Sequence, residues 1–135
     1  MNIREYIEYV TLEEGKLLKK LEYNDEISRY YDKTTDIVIA DNIIESPKDM
    51  DIIPAPTLNE AKDWLLYSHN IYCNVHPFRL RSSNEVMWTF EIFNVDDAKP
   101  VFLYNSSNYG YNTYHKALHI AIENALQYLL DSSPQ

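Results

Sequence analysis

His115, His119 and Glu123 recur at a spacing of four, so a helix over this stretch would set two imidazoles and a carboxylate on one face. Neutral imidazole and carboxylate oxygen are ligands for zinc and similar ions. The solvated edge of an amphipathic helix makes the same pattern, and no further ligand stands at a characteristic spacing. The three residues are therefore a candidate metal set, and no metal or other cofactor is expected. Cys73 and His76 suggest a thiol nucleophile beside a base. Three positions apart on a strand, however, they would point to opposite faces. Cys73 also shares a row with Ile71 and Val75, where a small buried thiol is expected.

The carboxylates Asp49, Asp51, Asp96 and Asp97 fall in polar stretches with no second motif beside them, which is the usual setting of solvated loop charge. Ser82-Ser83 and Ser106-Ser107 lack the glycines of a nucleophile elbow. With Gly15 and Gly110 as the 2 glycines of the chain, no Gly-rich phosphate loop can be built. The expectation is a protein that is not an enzyme. Its 12 tyrosines suit half-exposed strands and contact surfaces, because the ring is apolar and the hydroxyl stays wet. Tyr30, Tyr31, Tyr104, Tyr109 and Tyr111 are the candidate binding residues. Strand pairing accounts equally well for Tyr30 and Tyr31.

Charge narrows the partners. The formal net charge is −9, and residues 1–56 carry thirteen acids against seven bases. Phosphate contacts supply most non-specific nucleic-acid affinity and call for a basic face, so direct nucleic-acid binding is not expected. No apolar run approaches the ~20 residues that span a bilayer. The start of the chain lacks the order of a secretory signal, and one cysteine cannot make an internal disulfide, which together predict a cytoplasmic protein without membrane contact.

The elements that would position these residues read as follows. Thr11-Leu12-Glu13-Glu14 fits a capping box opening a helix over about 11–21, with Leu17, Leu18 and Leu21 on one face. The spacing of Ile3, Tyr6, Ile7 and Val10 predicts a short helix before it. Residues 28–31 and 36–40 flank a polar turn and predict a β-hairpin. Residues 42–56, with Pro47, Pro54 and Pro56, read as a loop or linker. A second capping box, Thr57-Leu58-Asn59-Glu60, opens a helix ending near Ser68, with Asn70 able to take the left-handed conformation that closes it. Alternation then predicts strands at 71–76, stopped by Pro77, at 86–93 and at 101–104. A loop over 105–112 leads to a last helix capped by Thr113, with Tyr114, Leu118, Ala121, Ile122, Ala125 and Leu129 as its stripe.

The fold class expected is α+β. One domain over 1–135 would have a subordinate part, 1–56, of helix plus hairpin, and a main part, 57–135, in which a three-stranded antiparallel meander carries two helices on one face. That α-β-β-β-α order is the topology of the double-stranded-RNA-binding domain. The RNA-binding version needs lysines at the start of its last helix, where this chain has Thr113-Tyr114-His115-Lys116, so the shape does not bring the function.

Three stretches carry a family resemblance: Tyr9 to Lys19; Ile53-Pro54-Ala55-Pro56-Thr57 with Trp64-Leu65 and His69-Asn70-Ile71; and Thr113-Tyr114 with Ala117-Leu118 and Ala125-Leu126. The chain resembles a group of small open reading frames of Bacteroidetes genomes, their prophages and their phages. Members show His-Gly-Ile and Tyr-Glu-Glu where this chain has His69-Asn70-Ile71 and Tyr114-His115-Lys116. The resemblance implies a phage or mobile-element setting and carries no activity. The function expected is that of an accessory protein acting by protein–protein contact or self-association. Two rivals are an acidic inhibitor that mimics nucleic acid against a host defence enzyme, and a small-molecule binder with a pocket between sheet and hairpin.

Overall fold

The computed structural model describes residues 8–32, 36–102 and 110–132. They form three α-helices and two three-stranded antiparallel sheets: α1 (Leu12–Lys20), β1 (Ile27–Tyr31), β2 (Ile37–Ile44), β3 (Ile53–Pro54), α2 (Leu58–His69), β4 (Ile71–Arg79), β5 (Val86–Asn94), β6 (Lys99–Phe102) and α3 (Tyr114–Ser132). The α+β class is as read from the sequence; the number of sheets is not, since one was expected beside a hairpin. The chain divides into two compact units, Met1–Glu60 and Ala61–Gln135, and the division falls inside α2 rather than before it. Among the described residues no helix is long and apolar enough to cross a membrane.

In the first unit, α1 starts at the expected box. The Thr11 amide donates to Glu14 Oε1 at 2.7 Å, and the Glu14 amide donates to Thr11 Oγ1 at 3.1 Å. Glu14 is fully buried, so this bond also gives a buried carboxylate one of its partners. The sheet runs β2-β1-β3. Its third strand arises in the stretch expected to be a linker: β2 continues to Ile44, a single 3-10 turn covers Pro47–Asp49, and Ile53–Pro54 pairs with Tyr31 and Tyr30. The Lys19 ammonium holds the approach to β3 by donating to the carbonyls of Met50 (2.9 Å) and Ile52 (2.6 Å). Pro54 is tolerated because β3 lies at a sheet edge, where a missing N–H need not break a ladder. Of the helix expected before α1, residues 1–7 lie outside the described residues, and Tyr9 makes an isolated antiparallel bridge to Thr57.

In the second unit the order is β4-β5-β6, and α3 packs along β4 and β5. Helix α2 belongs to this unit from Ala61 onward, with Ala61, Trp64 and Leu65 buried. The α3 stripe is buried at Leu118, Ala121, Ile122 and Ala125 as expected, with Ala117 and Leu126 added; Tyr114 and Leu129 are half-buried. Asn70 closes α2 at φ 57°, and the Lys116 amide donates to Thr113 Oγ1 at 3.1 Å. Pro77 does not stop β4, which runs on to Arg79 opposite Val86. A strand with one free side can turn the proline's missing donor outward.

Candidate functional site

The chemistry suggested by spacing does not converge. Among the described residues no group of three or more His, Cys, Asp or Glu side chains is placed to hold a metal ion, and His115, His119 and Glu123 sit half-buried along α3. Cys73 is fully buried, with Sγ 3.9 Å from the Ala121 carbonyl oxygen of α3. Burial pushes its thiol up to about 12, and the partial opposition of the Lys62 charge does not reverse this. His76 faces the other side of the sheet, as strand alternation requires. There its Nε2 lies 3.1 Å from Glu91 Oε1. Residue-by-residue reading missed this pair. Its signal is the register of the hairpin, which sets His76 opposite Thr89 and so diagonal to Glu91. Both side chains are about 40% exposed, a setting in which an ion pair contributes little. Asp96 and Asp97 shape the β5–β6 turn: Asp96 accepts from Asn70 Nδ2 at 3.3 Å, and Asp97 from the Lys99 amide at 3.0 Å.

Two of the five tyrosines proposed as contact residues are core residues instead. Tyr31 is 7% exposed, and its hydroxyl donates to the Val10 carbonyl at 2.7 Å. Burial first, and the Glu14 carboxylate second, hold that phenol above its ordinary pKa. Tyr111 is 8% exposed, stacks on Phe90, and exchanges both backbone hydrogen bonds with Trp88 at 2.8 Å. Tyr30 is half-buried between Val38 and Pro54 in the ladder. Tyr104 and Tyr109 lie outside the described residues.

The surface that stands out belongs to β2. This strand is an edge of the first sheet, and it exposes Ile37 (43%), Ile39 (67%) and Ile43 (61%). Isoleucine is there because β-branched side chains favour extended backbone, and the register fixes where two of them point. Ile37 pairs with Tyr31 and Ile39 with Arg29, so both share the sheet face that Tyr9 covers, its ring lying 4.5 Å beneath the Arg29 guanidinium. The covered face thus continues, uncovered, onto β2. Between the Arg29–Ile39 and Ile27–Ile44 pairs the register shifts, so residues 40–43 form a bulge opposite Ser28, take Ile43 out of the alternation that Ile37 and Ile39 follow, and carry the exposed Asp41. Covering an isoleucine that is two-thirds exposed contributes on the order of 1–2 kcal/mol.

The other sheet treats its β4 edge differently, since that edge carries Pro77 and is thereby blunted against further pairing. Three small concavities are lined wholly by described residues within a unit. One of about 260 Å³ is lined by Pro77, Phe78, Arg79 and Val86, one of about 160 Å³ by Glu26, Ile27, Ser28, Ile43 and Glu60, and one of about 70 Å³ lies beside Lys19 and Tyr31. Sites for drug-sized ligands run from roughly 300 to 1,000 Å³. Comparison of this chain with family models, with curated proteins and with solved structures finds no match.

Proposed function

We propose that this chain is a non-enzymatic protein that acts by binding another protein, and that the contact is made at the free edge of β2. The observation that carries this reading is the exposure of Ile37, Ile39 and Ile43 on one edge strand. Single exposed isoleucines are ordinary; three along one edge strand, two of them on the regular stretch Ile37–Ile39, offer an apolar surface for strand addition. Burial of Cys73 on the opposite sheet face from His76 removes the one nucleophile–base pair suggested by the sequence.

The test is affinity capture from a cell lysate with the wild-type chain and with Ile39→Asn plus Ile43→Asn. Both positions are exposed, so the double variant should melt within about 0.5 kcal/mol per site of wild type. A partner retained by wild type and lost by the variant supports the reading. Equal capture by both excludes the β2 edge as the contact.

A further inference from the structure

We infer that the occupant of the β2 edge is an extended segment of a cationic partner, in which apolar residues alternate with lysine or arginine and add to the sheet as a further strand. This rests on the reading of β2 as the contact surface and specifies its chemistry. The strand contains no proline between Ile37 and Ile44, so every backbone donor is present. Ile37 and Ile39, opposite Tyr31 and Arg29, share one face and ask for apolar residues at every second position of the incoming segment, while Ile43 lies beyond the bulge.

Charge supplies the rest. Asp41 and Glu45 are exposed on and just beyond the strand, and acids outnumber bases thirteen to seven over residues 1–56. The one cation on the paired stretch of β1, Arg29, lies over the Tyr9 ring. Opposite charges facing one another across strands stabilise pairing and like charges oppose it. A second copy of this chain fits poorly for that reason. It would bring a second Asp41 and Glu45 to the same edge. Each copy further carries a net −9. A cationic strand meets the isoleucines and the carboxylates together.

The experiment uses three labelled, end-blocked peptides, of sequence VKVKVKV, VEVEVEV and VKVPVKV, titrated with the full chain by fluorescence anisotropy at about 50 mM and about 300 mM salt. The expected result is binding of the first peptide only, shifts in the amide resonances of residues 37–44, and a loss of at least about tenfold in affinity with Ile39→Asn plus Ile43→Asn. Asp41→Asn plus Glu45→Gln should weaken binding about threefold or more and flatten its salt dependence. Equal binding of the lysine and glutamate peptides, no binding of either, or lysine-peptide binding indifferent to the isoleucine substitutions overturns the inference. If lysate capture still depends on Ile39 and Ile43 in that event, the edge remains the contact and only the partner's chemistry is wrong. If capture is also indifferent, both readings fail.

Discussion

Gly15 of α1 and Pro54 of β3 approach so closely that a Cβ on Gly15 would lie 2.7 Å from the Pro54 carbonyl oxygen and 2.8 Å from Ile53 Cγ2. A glycine inside a helix ordinarily costs about 0.5–1 kcal/mol relative to alanine. Here the missing side chain is what lets helix and strand touch. Gly15→Ala should therefore destabilise, by about 1–3 kcal/mol in urea unfolding, because the contact atoms include backbone and cannot rotate away. A gain in stability would mean that α1 does not rest on β3 in solution.

Tyr31→Phe removes the hydroxyl that donates to the Val10 carbonyl in a buried setting. Leaving that acceptor unpaired should cost about 1–3 kcal/mol while the ring still packs. Tyr30→Phe, on a half-buried neighbour, should cost less than about 0.5 kcal/mol. Equal losses from the two would contradict the placement of the Tyr31 hydroxyl.

Stability should fall on the alkaline side. Tyr23, Tyr31 and Cys73 all have pKa values raised by burial, with Asp25 and Glu60 adding to the effect at Tyr23. Each is held neutral in the fold, whereas the unfolded chain releases its protons at the ordinary values, 9.0 for the thiol and 10.0 for the phenols. Their contribution is complete below those values and is lost as pH rises beyond them towards the raised ones. Melting temperatures measured from pH 8 to about 11 should decline, and Tyr31→Phe should shallow the decline. A flat profile would show that these groups are solvated.

Cys73 should resist thiol reagents. In the native protein at pH 8 its modification should be slower than in the urea-unfolded chain by about a hundredfold or more, because the reactive thiolate is suppressed and the sulfur is buried. Comparable rates before and after unfolding would place Cys73 at the surface.

What the sequence made legible is local. Both capping boxes form, the second with the Thr57 amide 2.9 Å from Glu60 Oε1, since a cap needs only residues three apart. Asn70 closes α2 for the same reason. Pairing that depends on distant residues stayed hidden. Ile53–Pro54 becomes a strand because Tyr30 and Tyr31 lie beside it, and its proline argued locally for a loop. Pro77 misled in the opposite sense, since nothing near it says that β4 is an edge. Tyr31 and Tyr30 are adjacent and chemically identical, yet one is core and the other half-exposed; which row of β1 is covered is set by residues far along the chain. The β2 edge was hidden likewise, as an isoleucine-rich strand reads the same whether covered or open.

The β4–β5 ladder has a kinetic consequence. Its nine consecutive pairs, from Ile71–Asn94 to Arg79–Val86, close through one short turn, whereas β1 must wait for β3 to arrive across β2 and the Pro47–Asp49 turn. Loop closure over a short separation is fast, so this hairpin should assemble before the first sheet gains its third strand. Pulse-labelled hydrogen exchange during refolding should find the amides of β5 shielded earlier than those of β1. The carboxy-terminal unit would then be the half of the chain that first escapes chaperones and proteases, leaving the isoleucines of β2 as the last apolar surface to find its place.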